Sequence, residues 1–124
     1  MTQRKKILLV DDSSTVLMVE QMILKNSPFD ILIARDGEAG FETALKERPD
    51  LILMDVMMPR MDGFDALREI RANEEIKDIP VIMVTTRGEG VNIETGYTVG
   101  CNDYVTKPIN GSELLSKINN LIGS

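Results

Sequence analysis

Five short runs of strand-forming residues recur along this 124-residue chain, and they constrain its fold more than any other feature. Each run is too short for a helix, and the first four consist of apolar side chains. Continuous rather than alternating apolar character is typical of strands that are buried on both faces. The runs are Ile7–Val10, Ile31–Ala34, Leu51–Met54, Val81–Val84 and Asp103–Thr106.

The segments between these runs have the capping residues and apolar spacing of amphipathic helices. Strand and helix therefore alternate five times, which predicts a parallel sheet with helices on both of its faces. No linker, repeat or low-complexity segment interrupts the pattern, so we expect residues 1–124 to form one domain. The predicted helices run from Ser13–Thr15 to about Lys25, over Glu38–Glu47, from about Gly63 onward, over Glu89–Val99 and beyond Asn110.

Two of these helices carry specific expectations. In the first, Val16, Met22 and Ile23 belong to the predicted apolar side. The fourth contains Gly90 and Gly96, and each interior glycine costs a helix about 1 kcal/mol relative to alanine. We therefore expect the fourth helix to be short, frayed or mobile.

Acidic, hydroxyl or lysine residues directly follow four of the five runs. Ligand sites of open α/β sheets lie just beyond the carboxyl ends of the strands. The terminal residues of different runs should therefore meet at one edge and form a site. They are Asp11 and Asp12 after the first run, Asp55 after the third, Thr85 and Thr86 after the fourth, and Lys107 after the fifth.

The three acids at this edge indicate a metal site. Like charges brought together destabilise a fold unless a cation intervenes. The chain has no histidine and a single cysteine, so oxygen atoms must supply the ligands, and a hard cation such as Mg²⁺ is the natural guest. Asp11 and Asp12 alone would also suit a turn followed by a helix cap, and the third acid, Asp55, favours the metal.

The remaining edge residues indicate phosphoryl chemistry. Lys107 could form only a salt bridge within the acid cluster, but it could equally supply the point charge that a phosphoryl oxygen needs. Thr85 could be structural or could donate a hydrogen bond to a second oxygen. Together with a cation and the Asp55 carboxylate as nucleophile, these groups suffice for phosphoryl transfer, which needs little beyond positioning and charge neutralisation.

Composition excludes several other classes. The net charge of −6 disfavours general nucleic-acid and membrane-surface binding, because both partners attract basic surfaces. No apolar stretch approaches the length of a membrane span, and the amino terminus lacks the apolar core of a signal peptide. We therefore expect a cytoplasmic protein.

Four motifs in order make the whole chain resemble the receiver domain of two-component response regulators. They are LLVDD (Leu8–Asp12), LILMDVMMPRMDG (Leu51–Gly63), PVIMVTT (Pro80–Thr86) and GCNDYVTKP (Gly100–Pro108). The resemblance implies a flavodoxin-like doubly wound fold: a five-stranded parallel sheet of order 2-1-3-4-5, with five helices on both faces.

The resemblance also implies a role for each site residue. Asp55 is the implied phosphoacceptor, and Asp12 is a direct ligand of Mg²⁺ or Mn²⁺, with Asp11 acting mainly through a bound water. Asp55 and the backbone carbonyl of Met57 complete the protein ligands. The phosphoryl-binding and switch residues implied by the family are Thr85, Thr86, Lys107 and Tyr104, and the Lys107–Pro108 bond is implied to be cis.

In such a protein, Asp55 takes a phosphoryl group from a phosphohistidine of a sensor histidine kinase or a histidine phosphotransfer protein. Thr85 then moves inward, Tyr104 turns into the vacated space, and an output protein reads the face made by the fourth helix, fifth strand and fifth helix. Tyr104 could also be an ordinary half-buried strand residue. The family implies a signalling protein, not an enzyme, that promotes its own phosphorylation and dephosphorylation, as a monomer or a weak phosphorylation-dependent dimer.

Two alternatives compete with this interpretation. A haloacid-dehalogenase-type phosphatase also forms an aspartyl phosphate, but it requires a second Asp where this chain has Met57. A non-phosphorylated pseudo-receiver would act purely as an interaction module. The intact set of Asp11, Asp12, Asp55, Thr85 and Lys107 argues against it, because degenerate domains usually lose one or more of these residues.

Overall fold

The computed structural model describes residues 4–58, 61–86, 97 and 99–123. Its centre is a sheet of five parallel strands in the order β2-β1-β3-β4-β5. This order and the parallel pairing confirm the predicted fold class. The strands are β1 (Lys5–Val10), β2 (Phe29–Ala34), β3 (Leu51–Asp55), β4 (Val81–Thr86) and β5 (Asp103–Lys107).

Four helices lie within the described ranges: α1 (Ser14–Leu24), α2 (Gly37–Glu47), α3 (Gly63–Ala72) and α4 (Gly111–Ile122). The last of these, α4, corresponds to the predicted fifth helix. The predicted fourth helix, Glu89–Val99, falls outside the described residues except for Tyr97 and Val99. Among the described residues, no helix combines the length and the apolar character that crossing a bilayer requires.

Each helix begins where a polar side chain can accept a backbone N–H that has no partner within the helix. This explains why the capping residues in the sequence mark the helix starts so closely. The acceptor and donor pairs are Ser13 with Val16, Asp36 with Ala39, Asp62 with Asp65, and Asn110 with Glu113.

The sheet separates two apolar clusters, one on each face. On the first face, alternate strand residues such as Leu8, Met54 and Met83 pack against α2 and α3. On the second face, the intervening residues such as Leu9 and Val84 pack against α1 and α4. Because both faces are covered, β3 is buried along its whole length, which accounts for its unbroken apolar sequence.

The structure corrects the predicted apolar side of α1 at Met22, whereas Ile23 packs against the core cluster of the second face as predicted. Met22 is 67% exposed, whereas Leu17, Glu20 and Leu24 are buried. These three positions follow the spacing of one helical stripe, and Met22 lies off it. Because apolar residues occur on most sides of α1, the sequence did not show which side faces the core.

A single guanidinium group ties the amino-terminal ends of β4 and β5 to α3. Arg71, in the last turn of α3, donates hydrogen bonds to the carbonyls of Gly100, Lys77 and Ile79 at 2.8–2.9 Å. It also donates to Asn102 Oδ1 at 2.9 Å, and the same oxygen accepts the first amide of β4. This arrangement fixes the edge of the sheet opposite to the strand carboxyl ends.

Truncation of Ile118 tests the packing of the second face. Its side chain is fully buried on α4, so Ile118→Ala should lower the free energy of unfolding by about 2–5 kcal/mol through lost burial and a residual cavity. The neighbouring exposed residue Asn119 is the control, and Asn119→Ala should stay within about 0.5 kcal/mol. Denaturant titration of both variants measures the difference, and equal stabilities would contradict this packing.

Candidate functional site

Three carboxylates meet at the carboxyl edge of the sheet. Asp55 is the last residue of β3, and Asp11 and Asp12 follow the adjacent strand β1. One carboxylate oxygen from each lies within 4.8 Å of the others. Asp11 and Asp55 are buried, whereas Asp12 is exposed. The cluster therefore has a buried floor and one acid that faces solvent.

Lys107 supplies the positive charge in this cluster. It ends β5 and reaches across β4, so that its Nζ lies 3.0 Å from Asp55 Oδ1 and 3.8 Å from Asp11 Oδ2. The lysine side chain is partly exposed, and the two carboxylates are almost fully buried. Among the described residues, one lysine thus forms ion pairs within a cluster of three acids, and negative charge is in excess there.

Burial and mutual repulsion shift the proton affinities of these groups. Burial raises the pKa of Asp55 to about 6, although the hydrogen bond from Lys107 opposes the shift. Burial also raises the pKa of Asp11, against the hydrogen bond that the Ser13 amide donates to its Oδ1 at 2.9 Å. For Lys107, burial alone would lower the pKa, but the hydrogen bond and charge of Asp55 outweigh it and raise the pKa.

Two buried oxygens at this edge have no hydrogen-bond partner within the described ranges. They are Asp11 Oδ2 and Thr85 Oγ1. Leaving such a group unpaired costs roughly 1–3 kcal/mol, so native proteins rarely keep one without use. The pair of oxygens, the converging carboxylates and the excess negative charge together fit a hard divalent cation with an anionic ligand beside it.

Two glycines allow a close approach of backbone segments near Asp55. The amide of Gly63 donates to the Val56 carbonyl at 2.9 Å, and a Cβ at Gly63 would collide with the carbonyl oxygen of Asp55. At the start of α2, a Cβ at Gly37 would collide with the Met61 carbonyl. Close backbone contacts therefore hold Asp55 against the start of α3 and Met61 against the start of α2.

The other predicted site residues lie in or around this edge. Met57 is two residues beyond Asp55, and its side chain is 66% exposed, which leaves its carbonyl as the group with a possible role. Thr86 ends β4 and pairs in register with Lys107. Tyr104 lies three residues before the end of β5 and is half-buried. The Lys107–Pro108 peptide bond is cis.

An apolar groove of about 210 Å³ adjoins Lys107. It lies between the first turns of α1 and the segment that follows β5. Its lining residues are Thr15, Val16, Val19, Lys107, Pro108 and Ile109. Along α1 the apolar surface continues through Met18 and Met22, both at least 60% exposed. The site therefore opens beside a surface suited to contact with another protein.

Glu20 is a buried acid that the sequence analysis missed. It lies between Leu17 and Leu24 on the core side of α1, is 1% exposed, and its Oε1 has no hydrogen-bond partner in the described part of the chain. Burial, followed by the charges of Asp11 and Asp55, raises its pKa to about 8. An acid at helical spacing between two core leucines was the available signal.

Comparison with known proteins identifies the relatives of this chain. Residues 7–119 match the family model described as response regulator receiver domain. Protein PilH of Pseudomonas aeruginosa is 39% identical over 114 residues, which cover 92% of this chain and 94% of PilH. The alkaline phosphatase synthesis transcriptional regulatory protein PhoP of Bacillus subtilis is 35% identical over 114 residues, 92% of this chain but only 47% of PhoP.

Among solved structures, the receiver domain of the sensor histidine kinase PA1611 from Pseudomonas aeruginosa is similar throughout. The TM-score is 0.89 with 34% identity, and the match covers 98% of this chain and 100% of the other. That structure has a magnesium ion coordinated in its active site cleft. This chain therefore matches one relative almost end to end, whereas it spans about half the length of PhoP.

Adding a methyl group at Gly63 tests the close contact between Gly63 and the Asp55 carbonyl. Gly63→Ala should lower the free energy of unfolding by about 1–3 kcal/mol, because the new Cβ must displace the Asp55 carbonyl. Gly111 also begins a helix, but a Cβ there would meet only the Ile23 side chain at 3.4 Å or more. Thermal unfolding of Gly63→Ala and Gly111→Ala should separate the two, and equal effects would contradict the close approach.

Removing the ionisable group of Glu20 should change the pH dependence of stability. Between its ordinary pKa of 4.5 and about 8, Glu20 stays protonated when folded but ionises when unfolded. Stability therefore falls by up to about 1.4 kcal/mol for each pH unit as pH rises, and the loss is complete above pH 8 or so. Glu20→Gln should flatten the curve between pH values of about 6.5 and 8.

Urea titrations across that interval measure the slope for wild type and Glu20→Gln. Glu42 is an exposed acid on α2, so Glu42→Gln is the control and should keep the wild-type slope. If Glu20→Gln keeps the same slope as well, then Glu20 is ionised in the folded protein and its burial has been misjudged.

Proposed function

Because this chain belongs to the family of response regulator receiver domains, we propose that Asp55 accepts a phosphoryl group and thereby switches a protein-interaction surface. The donor is a phosphohistidine on a sensor histidine kinase or a histidine phosphotransfer protein. One observation carries the assignment: the buried Asp55 carboxylate lies 3.0 Å from Lys107 Nζ inside a cluster of three acids. That geometry combines a nucleophile, a cation-binding set and a charge for the phosphoryl group.

The transfer needs one bond to form and one to break. A carboxylate oxygen of Asp55 attacks phosphorus in line with the phosphorus–nitrogen bond of the phosphohistidine. That bond breaks, and its electron pair returns to the imidazole nitrogen. Lys107 moves from the Asp55 oxygen to a phosphoryl oxygen, where its charge offsets the new negative charge.

Asp11, Asp12 and Asp55 are the side chains that would hold Mg²⁺, or Mn²⁺ in its place, together with the Met57 carbonyl. Their oxygen-only chemistry suits either ion. When bound, the cation neutralises charge on the phosphoryl group in the transition state. The unpaired Oδ2 of Asp11 supports this assignment, because it offers a buried acceptor that no described donor satisfies.

Thr85 is the group that senses the phosphoryl group in this proposal. Its Oγ1 is buried and has no hydrogen-bond partner among the residues that the structure describes, and Thr85 lies on β4, between the strands that carry Asp55 and Lys107. A phosphoryl oxygen would give this hydroxyl a hydrogen-bond acceptor and draw it toward the site. Thr86 is the adjoining strand residue that we include in the same switch.

The phosphodonor would approach past the groove next to Lys107. The groove and the exposed Met18 and Met22 give an apolar surface within reach of the nucleophile. The output partner would instead read the surface around Tyr104 on β5 and the adjoining helices. We propose that the two contacts use different parts of the molecule, so that receipt and transmission of the signal can be separated.

As a member of a signalling family, the chain is not an enzyme in the usual sense. We propose that it promotes its own phosphorylation and dephosphorylation in the cytoplasm, as one receiver domain that is a monomer or a weak phosphorylation-dependent dimer. PilH has nearly the same length as this chain, whereas PhoP is about twice as long. Both a stand-alone regulator and a receiver joined to an output domain are compatible with residues 1–124.

Incubation with Mg²⁺ and acetyl phosphate tests the proposal. Intact-protein mass spectrometry should show the gain of one phosphoryl group in the wild type and none in Asp55→Asn, because the amide is a poor nucleophile. Lys107→Ala should still be labelled, but its conformational response should be blunted. Lys77→Ala, at an exposed lysine remote from the site, is the control for removal of a positive charge.

Absence of any mass gain in the wild type, with Mg²⁺ present, would instead favour a pseudo-receiver that works by contact alone. Labelling that persists in Asp55→Asn would show that another residue accepts the phosphoryl group. An unchanged conformational response in Lys107→Ala would mean that its role is misassigned.

A further inference from the structure

The two tyrosines of this chain lie against each other. Tyr97 and Tyr104 have ring centroids 5.9 Å apart with an interplanar angle of 86°, an edge-to-face contact. The sequence contains no other tyrosine and no tryptophan. All tyrosine emission therefore comes from this one place in the molecule.

A lysine lies on the same ring. Lys117 Nζ is 4.8 Å from the centroid of Tyr104, within the range of a cation–π contact. It donates to the Tyr104 carbonyl at 2.6 Å and to Asp103 Oδ1 at 3.1 Å, and Glu113 Oε2 lies 3.8 Å away. These contacts hold the ammonium group on both the backbone and the ring of one residue.

Asp103 connects all parts of this cluster. Its Oδ1 accepts from the Tyr104 amide at 2.8 Å, from Lys117 and from the Tyr97 hydroxyl at 3.4 Å. Lys117 is only about one-fifth exposed, so these ion-pair contacts are less screened than those of a fully exposed lysine. The orientation of the Tyr104 ring is thus tied to a partly buried network.

The topology makes Lys117 a link between the two faces of the sheet. Its helix, α4, packs on the second face through Leu114 and Ile118. Tyr104 belongs to the first face, with the cluster that contains Met83. Strand β5 is at the end of the sheet order, so Lys117 reaches round the free edge of β5 to touch a ring on the other side.

On the first face, Tyr104 is a diagonal neighbour of Thr85. Tyr104 is opposite Met83 in the β4–β5 register, and Thr85 is two residues further along β4. Side chains at this diagonal spacing are within reach of a long aromatic ring. A shift of Thr85 therefore changes the space next to the Tyr104 ring, the same ring whose centroid lies 4.8 Å from Lys117 Nζ.

We propose that Lys117 is a positioning residue that keeps the Tyr104 ring outward, against Tyr97, until the site is phosphorylated. This inference rests on the proposed function, since Thr85 must move when Asp55 carries a phosphoryl group. In the resting protein the cation–π contact favours the outward ring. When Thr85 makes room, the ring turns inward, and Lys117 keeps Asp103 and the Tyr104 carbonyl but loses the ring.

Tyrosine emission measures this directly. In a Tyr97→Phe background, Tyr104 is the sole tyrosine, and acrylamide quenching reports how exposed its ring is. Lys117→Met removes the charge but keeps a long side chain, and it should shift the ratio of inward to outward rings by roughly fivefold. Quenching in the unphosphorylated variant should therefore fall toward the value of the phosphorylated parent.

Lys117→Arg keeps a cation that can stack on the ring and should restore the parent quenching. Lys77→Met removes the same charge at a distant exposed site and should change nothing. If Lys117→Met quenches like its parent, or more strongly, then Lys117 does not hold the ring outward. Circular dichroism confirms that each variant is folded. As a second test, Glu113→Gln removes the charge of a Lys117 partner at 3.8 Å and should change the quenching less than Lys117→Met does.

The same samples separate this inference from the proposed function. Resting-state quenching of Lys117→Met against Lys117→Arg judges the role of Lys117 without any phosphodonor. Mass spectrometry after Mg²⁺ and acetyl phosphate judges phosphorylation of Asp55. If the protein is phosphorylated but the Lys117 variants do not differ in quenching, the positioning role alone is overturned. If the variants differ in quenching but the protein is not phosphorylated, the proposed function alone is overturned.

Discussion

Repulsion among three carboxylates is the unfavourable interaction that the rest of this structure must offset. Parallel strands deliver Asp11, Asp12 and Asp55 to one edge, where Lys107 forms ion pairs with Asp11 and Asp55. A fold can hold such charges together only if its core is stable enough to oppose them. Two apolar clusters, one on each face of the sheet, supply that stability at a distance from the charges.

The same excess of negative charge favours the binding of a cation at this site. Under the proposed function, a divalent cation would relieve the repulsion, and both the cation and Lys107 would offset the charge of a phosphoryl group. This proposal gives partners to Asp11 Oδ2 and Thr85 Oγ1, which have no hydrogen-bond partner among the described residues. Glu20 is a further buried acid near the cluster, and its pKa is raised to about 8 by burial first and then by the charges of Asp11 and Asp55.

Much of the fold could be predicted because its signals are local. Continuous apolar runs identify strands buried on both faces, and capping side chains identify helix starts to within about one residue, less than the usual uncertainty of such boundaries. The edge residues Asp11, Asp55 and Lys107 follow from the rule that strand ends converge. The strand order came from family resemblance, since no periodicity specifies which strands are neighbours.

Features that depend on orientation or on distant contacts were harder to predict. The core side of α1 was misjudged at Met22, because apolar residues cover most of that helix and blur its stripe. Glu20 was overlooked for the same reason. The contact between Lys117 and Tyr104 joins residues 13 apart across the edge of a strand, and neither residue carries a pattern that points to the other.

Arg71 fixes β4 and β5 at the ends that lie opposite to the functional site. Four hydrogen bonds pin the entrances to β4 and β5 onto α3, while the far ends of both strands carry Thr85 and Lys107. Because β4 is also paired with β3 and β5 along its length, its amino-terminal half is held on every side. Any rearrangement that begins at Thr85 is therefore confined to the carboxyl end of the strand.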